Sequence, residues 1–392
     1  MLKFKELIVT TSLICLQYNT VILQCHALVL QHRNFGFQSI REHGKMYSFL
    51  QASRRSGAMA RKRKKTVNKS SSKNSSAAGS QKTVHASPKV FHGQGNIYSL
   101  PAIYDLAFGY RNYEEEVNFL LSAHEDLLSE AETLNPVSKE RKYDILELAA
   151  GPARHSLTAM AMNQVHSCTA LDMSEDMMNY SEGLADNELV NVQESGKREN
   201  FKYICGDMRS FSSGNGNLVP KSSMDSVWIL LGSMQHLLTN DDVISCFQSV
   251  SNCLKKEGTV IIELPHPREV FTMGECTRNS WEVPLEDESG NDFGNLKIMW
   301  GDDDDAFDPI KQIRDFSVSF NLDMDTNNAQ NMQDFHNLEQ SVPMRVFTMQ
   351  EIDALGRICG LIPRKTYGAL SQDVNINNEE EAFRLVCVLQ KT

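Results

Sequence analysis

The sequence lacks the cysteine spacings that would mark a metal site or a disulfide framework. Its nine cysteines are scattered from Cys15 to Cys387, and no two of them form a C-x-x-C pair. Neither a zinc site nor a disulfide-stapled secreted domain is therefore indicated, and we predict no metal ligands. Cys168, Cys205 and Cys387 fall in apolar runs, where a free cysteine behaves as a small hydrophobic residue.

Acidic residues are almost missing from the first 85 positions. This segment has fifteen Lys and Arg but only Glu6 and Glu42 as acids, a charge of +13. Because the whole chain has a net charge of −11, about −24 is left for residues 86–392. A body this acidic suits nucleic acid poorly, since phosphates attract basic surfaces. It fits an enzyme that acts on a small molecule better.

Residues 1–95 are expected to lie outside the fold as a basic, Ser-rich leader. The stretch 61–82 cannot bury enough apolar surface to order itself, and the apolar stretch 7–31 is too often interrupted for a transmembrane helix. Three interpretations stay open. The segment is a transit peptide for a plastid or mitochondrion, a disordered tail on a cytoplasmic or nuclear protein, or sequence upstream of a true start at Met46 or Met59.

From residue 100 onward, short apolar runs alternate with helical patterns. The runs typical of strands are 143–148, 167–171, 201–205, 225–231, 258–264, 363–369 and 383–389. The helical patterns cover 101–110, 113–133, 153–163, 175–184, 241–254 and 348–359. Apolar strands separated by helices indicate a parallel sheet covered on both faces. The sequence therefore predicts an α/β fold with a doubly wound, mostly parallel seven-stranded sheet that ends in an antiparallel edge hairpin.

Residues 266–345 break this alternation and predict a few antiparallel strands joined by acidic loops. We interpret the segment as a β-rich insertion that lies over the ligand edge, because it follows the fifth strand. It would act as a lid or substrate-shaping element, and a homodimer surface is the alternative. The four aspartates at 302–305 are interpreted as a solvated turn, since a calcium loop needs a ligand spacing and a glycine that are missing there.

Small and acidic residues follow three successive strands. Gly151 lies in the turn after the first strand, Asp172 ends the second strand twenty-one residues later, and Asp207 follows the third. Nucleotide-binding α/β folds place a carboxylate for the ribose hydroxyls at about this offset. A phosphate is disfavoured, because Pro152 lacks an N–H donor and Glu147 carries negative charge. The pattern predicts an adenosine with a positive tail and no phosphate.

Five motifs resemble, in order and spacing, those of class I S-adenosylmethionine-dependent methyltransferases in their small-molecule branch. They are ELAAGPARHS, ALDMSEDMM, CGDMRSF, MDSVWILLGSMQHL and LKKEGTVIIEL. The resemblance covers 100–265 and 345–392. It implies a Rossmann-like domain over 96–392 that uses S-adenosyl-L-methionine as cofactor. It also implies methyl transfer by in-line displacement to a small-molecule acceptor, with no nucleic acid or membrane as partner of the folded domain.

The same resemblance implies a cofactor site. Around the methionine part it places Tyr104, Arg111, Tyr113, Glu147, Ala149, Gly151 and Pro152, the first three as candidates to hold the carboxylate. Around ribose and adenine it places Asp172, Met173, Asp207 and the N–H of Met208, and under the transferring methyl Leu231 and Gly232. The family's glycine-rich loop has alanine here at Ala149 and Ala153, which costs little where φ is negative.

Candidates for a general base follow the fourth and fifth strands. His236 and His266 lie where an acceptor would bind, so either is a tentative base, with a structural role as the alternative for each. His155, in the first turn of a helix, is interpreted as structural. Two other classes of function stay open: a methyltransferase-like fold kept as a binding or scaffold protein, and a nicotinamide-dependent oxidoreductase.

Overall fold

A computed structural model describes most of the chain. The described residues are 96–132, 141–189, 196–212, 217–271, 279–286, 292–324 and 337–392. The predicted leader, 1–95, lies outside them, so its targeting role stays a prediction. None of the described helices is long and apolar enough to span a membrane.

The described residues contain seven helices and twelve strands. The helices are α1 (Pro101–Phe108), α2 (Tyr113–Glu132), α3 (Arg154–Met160), α4 (Glu175–Glu188), α5 (Asn240–Cys253), α6 (Pro267–Phe271) and α7 (Met349–Ile358). The strands are β1 (Tyr143–Leu148), β2 (Val165–Asp172), β3 (Phe201–Cys205), β4 (Met224–Ile229), β5 (Leu254–Pro265), β6 (Asn279–Glu286), β7 (Asp292–Trp300), β8 (Phe307–Asp308), β9 (Ile313–Met324), β10 (Asn337–Arg345), β11 (Leu361–Tyr367) and β12 (Arg384–Lys391). Short 3₁₀ turns cover Ile97–Ser99 and Ser233–His236.

Seven strands form the main sheet in the order β11-β12-β5-β4-β1-β2-β3. β1 pairs in parallel with both β2 and β4, and β12 runs antiparallel to both β5 and β11. The predicted α/β fold and its edge hairpin are confirmed, although the last strand lies inside the sheet and β11 forms the edge. The strand order reverses between β1 and β4, the point where open α/β sheets bind ligands. We call the edge formed by the carboxyl ends of the parallel strands β1–β5 the carboxyl edge.

Both faces of the main sheet are buried, as its apolar strands predict. Trp228 in β4 is fully buried, together with neighbours such as Ile145 and Val260. Cys168 and Cys387 are buried as well, but Cys205 is exposed because it ends β3 at the carboxyl edge.

Side chains at the starts of several helices satisfy the first backbone N–H groups. The side chains of Ser174, Thr239 and Thr348 accept hydrogen bonds from backbone N–H groups in the first turns of α4, α5 and α7. Such caps contribute about 1 kcal/mol each. They explain why these helices begin within a residue or so of the predicted positions.

The predicted β-rich insertion is a second, antiparallel sheet in the order β10-β9-β7-β6, with β8 paired to β9. Alternate side chains such as Ile298, Phe316 and Phe320 are buried and pack with residues of α1. The Trp281 indole N–H also donates to the Ala107 carbonyl at 2.8 Å. Because a half-buried sheet alternates apolar and polar residues, its apolar face needs a partner, and α1 provides it.

The acidic turn at 302–305 is only partly solvated. Asp305 pairs with Arg314 at 3.0 Å, and each of these side chains is 1% exposed. Arg314 also donates to the Asp302 carbonyl and stacks over the Phe316 ring at 4.5 Å. The interpretation as a purely solvated turn is therefore wrong at Asp305, because β9 places a buried arginine beside it.

Candidate functional site

The turn after β1 has a strained backbone. Ala149, Gly151 and Ala153 have φ of 51°, 52° and 55°, so the condition of a negative φ, under which alanine costs little, is not met at the two alanines. An L-residue in this region costs about 1–2 kcal/mol. Two hydrogen bonds hold the turn. The Ala153 N–H donates to the Ala150 carbonyl at 2.8 Å, and the Tyr203 hydroxyl donates to the Gly151 carbonyl at 2.6 Å. Strain of this kind is concentrated at functional sites.

Asp172 lies at the end of β2, beside this turn. Its Oδ2 accepts from the Gly151 N–H at 2.9 Å, and its Oδ1 accepts from the Ser174 N–H at 2.9 Å. Burial raises the pKa of Asp172, and the backbone hydrogen bonds offset part of that shift. A carboxylate accepts about four hydrogen bonds in all, so Asp172, with backbone bonds from Gly151, Met173 and Ser174, keeps capacity for a hydroxyl donor. The adjacent Met173 side chain is 67% exposed, which leaves an apolar surface next to that carboxylate.

Tyr104, from the N-terminal part of the domain, lies close to this turn, and Tyr98 packs beside Tyr104. The Tyr104 ring carbon Cε1 is 3.9 Å from the position that a Cβ on Gly151 would take. The Tyr98 ring is 5.8 Å from the Tyr104 ring, and the Tyr98 carbonyl accepts from the Ser174 hydroxyl at 3.1 Å. Burial raises the pKa of both phenols. Tyr98 was missed in the sequence, because it lies before the first predicted helix.

The other two candidates for the methionine carboxylate have partners within the protein. The Arg111 guanidinium donates to both Glu263 oxygens at 3.2 Å and to Glu116 at 3.0 Å. The Tyr113 hydroxyl donates to the Phe108 carbonyl at 3.2 Å. Their role in holding a ligand carboxylate stays a prediction, and Tyr104 is the candidate that lies over the strained turn.

Glu147 and His155 form a buried pair beneath the turn. Glu147 Oε2 accepts from the Ser156 N–H at 3.0 Å and the Ser156 hydroxyl at 2.6 Å, so Glu147 caps α3, where the preceding Ala153 cannot. His155 lies between Glu116 at 2.8 Å and Glu147 at 3.5 Å. Burial favours the neutral ring, but hydrogen bonds to these two carboxylates raise the pKa of His155 to about 9. The cation that Glu147 faces is thus His155.

A second turn with positive φ angles follows β4. Leu231 and Gly232 have φ of 55° and 75°, so the prediction that the strand reaches residue 231 is wrong, and β4 ends at Ile229. Glu263 holds this turn with two acceptors. Its side chain accepts from the Leu231 N–H at 2.9 Å, and its carbonyl accepts from the Gly232 N–H at 3.0 Å. The signal for Glu263 in the sequence is an acid inside the apolar run VIIEL.

Asp207 follows β3 at the same edge, where the Gly206 N–H donates to the Asp172 carbonyl at 2.8 Å. Its carboxylate accepts from the Arg209 guanidinium at 2.6–3.0 Å, and Arg209 also reaches Asp242 at 2.9 Å. The hydrogen bonds from Arg209 hold the pKa of Asp207 below its ordinary value. Met208 is buried. An adenine amino group would therefore share Asp207 with Arg209.

The two histidines proposed as bases differ in their surroundings. His236 Nε2 lies 3.2 Å from the Tyr98 hydroxyl, and burial lowers the pKa of His236, so the ring is neutral near pH 7. His266 Nδ1 accepts from the Arg268 N–H at 3.1 Å, and its Nε2 lies 3.0 Å from the Ile376 carbonyl. Since both nitrogens of His266 are engaged by the backbone, the structure offers neither to an acceptor. His236 lies beside the tyrosines.

A phosphate-free adenosyl group fits the residues of the carboxyl edge. Pro152 provides no N–H in the turn after β1, and the Asp172 carboxylate already accepts from the Gly151 N–H, which disfavours an anion at this turn. Among the described residues, no group of three His, Cys, Asp or Glu side chains is arranged to hold a metal ion.

Comparison with known proteins agrees with this geometry. Residues 145–258 match the family model described as a methyltransferase domain. The chain contains a methyltransferase domain. The putative methyltransferase YqeM of Bacillus subtilis (strain 168) is 27% identical over 127 residues, which cover 32% of this chain and 44% of that protein. The match thus spans less than half the length of the curated relative.

Solved structures show the fold of this methyltransferase domain. An S-adenosylmethionine-dependent methyltransferase from Clostridium acetobutylicum ATCC 824 superposes with a TM-score of 0.53 at 16% identity, covering 76% of this chain and 99% of that chain. The sugar N-methyltransferase KedS8 from Streptoalloteichus sp ATCC 53650 has a TM-score of 0.51 at 12% identity, covering 83% of this chain and 99% of that chain. The main sheet of this chain therefore has the Rossmann-like fold of the S-adenosylmethionine-dependent methyltransferase from Clostridium acetobutylicum.

Proposed function

We propose that this chain transfers a methyl group from S-adenosylmethionine to a small-molecule acceptor. The arrangement around Asp172 is the observation that carries this proposal. A half-buried carboxylate with remaining acceptor capacity lies between a strained turn that lacks phosphate donors and the exposed Met173 side chain. Those are the contacts that the hydroxyls and the base of an adenosine require.

The cofactor would supply a methyl group bound to a sulfonium sulfur; as the acceptor bonds to the methyl and the C–S bond breaks, neutral S-adenosylhomocysteine would be the leaving group. The protein then has to orient the two reactants and exclude water. Tyr104 covers the Gly151 turn, and α1, which carries Tyr104, is covered in turn by the second sheet. We propose that this sheet shapes the acceptor side of the site. The name of the structural neighbour KedS8, a sugar N-methyltransferase, supports a small acceptor.

His236 is the base that the geometry favours for an acceptor that arrives protonated. It is neutral near pH 7 and lies at 3.2 Å from the Tyr98 hydroxyl, which orients its ring. A neutral imidazole has one lone pair on nitrogen that accepts a proton from an ammonium or a hydroxyl group. Between the two histidines, His266 is disfavoured because both of its nitrogens have backbone partners.

Calorimetric titration with S-adenosylmethionine, S-adenosylhomocysteine and NAD⁺ tests the proposal. We expect both sulfur compounds to bind and NAD⁺ to give no heat. Binding of NAD⁺ alone would instead support a nicotinamide-dependent oxidoreductase. If the cofactor binds but a panel of small amines, phenols and amino sugars gives no methylated product by mass spectrometry, the chain is better described as a binding or scaffold protein.

A further inference from the structure

Glu263 is a buried carboxylate in an inner strand of the main sheet, and its side chain is 2% exposed. Three donors surround its two oxygens. Leu231 donates from its N–H at 2.9 Å, Arg111 donates from its guanidinium at 3.2 Å to each oxygen, and the Arg384 Nε lies at 3.5 Å. Desolvation of such a group is expensive, and an apolar residue of similar size often stabilises a protein equally well. Stability alone therefore does not account for a carboxylate at this position.

The first contact of Glu263 controls the backbone at the end of β4. Leu231 and Gly232 both have a positive φ, and for a leucine this conformation is unfavourable. Such a turn persists only when its surroundings hold it. Glu263 accepts from both N–H groups of the turn, one with its side chain and one with its carbonyl. One residue thus holds the left-handed turn at the strand switch point.

The second contact reaches the segment on the other side of the site. Arg111 lies in the corner between α1 and α2, and α1 carries Tyr104, whose ring lies over the Gly151 turn. Its guanidinium bridges Glu263 and Glu116 of α2. The carboxylate of Glu263 therefore joins the turn after β4 to the helix corner that holds the aromatic cover in place.

We propose that Glu263 is a positioning residue of the methyl-transfer site, because its carboxylate sets the distance between the Leu231–Gly232 turn and the Arg111 corner. This inference rests on the methyl-transfer function proposed above. The Glu263 side chain is buried, and its oxygens face donors of the protein. It acts through the backbone of Leu231 and through Arg111.

The test compares Glu263→Gln with Asp225→Asn. Asp225 makes matching contacts at the opposite end of the sheet, where its carboxylate accepts from the Asp144 N–H at 2.8 Å and from Lys255 at 2.7 Å. Both substitutions replace a carboxylate by an amide, whose NH₂ group then faces a donor. Calorimetry measures the affinity for S-adenosylmethionine and S-adenosylhomocysteine, and hydrogen exchange follows the amides of residues 229–237.

We expect Glu263→Gln to weaken S-adenosylmethionine binding at least about tenfold and to speed exchange at residues 229–237, whereas Asp225→Asn changes affinity less than about twofold. The loss should be larger for S-adenosylmethionine than for S-adenosylhomocysteine, because we expect the turn to lie under the transferring methyl. Equal loss of affinity in the two variants, or unchanged exchange in Glu263→Gln, overturns the positioning role. If wild-type protein binds neither compound, the proposed function fails instead, and the positioning role fails with it.

A second variant, with a shorter carboxylate, keeps the test possible if the glutamine variant does not fold. Should Glu263→Gln give no folded protein by circular dichroism, Glu263→Asp replaces it in the same comparison. Aspartate keeps the charge but is one methylene too short to reach Leu231 and Arg111 together. We expect an intermediate loss of affinity and the same pattern of exchange, and wild-type affinity in this variant counts against the proposal.

Discussion

The carboxyl edge and the opposite, amino edge of the main sheet use the same kind of contact in different surroundings. At the amino edge, where β1 and β4 begin, Asp225 accepts from a backbone N–H and pairs with Lys255, and these side chains are 20% and 38% exposed. At the carboxyl edge, Glu263 accepts from a backbone N–H and pairs with Arg111, with 2% and 7% exposed. Water screens the first pair, which contributes about 0–1 kcal/mol, and hardly reaches the second.

A pair of buried histidines shows the same contrast. His124 is 1% exposed near the amino edge, where its Nδ1 lies 2.9 Å from the Thr259 hydroxyl and its ring packs on Tyr143. His155 is equally buried at the carboxyl edge, between the carboxylates of Glu116 and Glu147. Burial lowers the pKa of His124 to about 4, whereas the two carboxylates raise that of His155 to about 9. Of these two buried histidines, only the one at the carboxyl edge is paired with carboxylates, and the one at the amino edge has a neutral hydroxyl partner.

Among the substitutions that test this difference between the two edges, Asp172→Ala should have the largest effect. Asp172→Ala removes a carboxylate that we expect to accept two ribose hydroxyls, and charge-assisted hydrogen bonds contribute about 1.5–3 kcal/mol each. S-adenosylmethionine affinity should fall at least about 100-fold in calorimetry, with the circular dichroism spectrum unchanged. Asp225→Ala at the amino edge is the matched control and should bind normally. An Asp172→Ala variant of wild-type affinity would remove Asp172 from the site.

The next largest effect is the loss of stability in alkali through His155. Its pKa in the folded state, about 9, lies above the ordinary value of 6.5. Protonated His155 therefore stabilises the folded protein fully below pH 6.5, and this contribution is lost as the pH rises to about 9. The loss in the free energy of unfolding is on the order of 3 kcal/mol. Urea unfolding between pH 6.5 and 9.5 should show this fall in wild-type protein and a much flatter profile in His155→Gln. Parallel profiles would mean that His155 is neutral.

His124 should produce the opposite dependence at the amino edge. Its folded pKa, about 4, lies below the ordinary value of 6.5, so the unfolded chain binds the additional proton in this range. Stability should fall by about 2 kcal/mol as the pH drops from 6.5 to 5. The matched variant His124→Gln should lose less stability over the same range in urea unfolding. A wild-type profile that matches the variant below pH 6.5 contradicts a neutral, buried His124.

The smallest expected effects come from residues with positive φ at the two edges. Glu257, exposed near the start of β5 at the amino edge, has φ of 65°, and Ala149 at the carboxyl edge has φ of 51°. Replacement of either by glycine relieves strain and should raise the free energy of unfolding by about 0.5–1 kcal/mol. Only Ala149→Gly should also weaken S-adenosylmethionine binding, roughly twofold to fourfold, because it loosens the turn. Equal affinities in calorimetry would show that the strain at Ala149 has no part in binding.

Periodicity in the sequence was sufficient for the main sheet. All seven predicted strands exist, and Asp172 meets the Gly151 turn, as their twenty-one-residue offset indicates. Boundaries were missed where backbone strain intervenes, as at Leu231. The two alanines of the loop after β1 resemble ordinary helix-forming residues in the sequence, and nothing local reveals that their φ is positive.

Local patterns in the chain predict the succession of strands and helices and the acidic residues at the strand ends, because hydrophobic alternation depends on neighbouring residues. Which charged side chains contact each other depends instead on tertiary packing. Arg111 and Glu263 are 152 residues apart, and His155 is 39 residues from Glu116. Ionic partners are selected by which apolar faces pack together, and that packing also places the second sheet on α1. A local sequence pattern does not show which residues far apart in the chain contact each other.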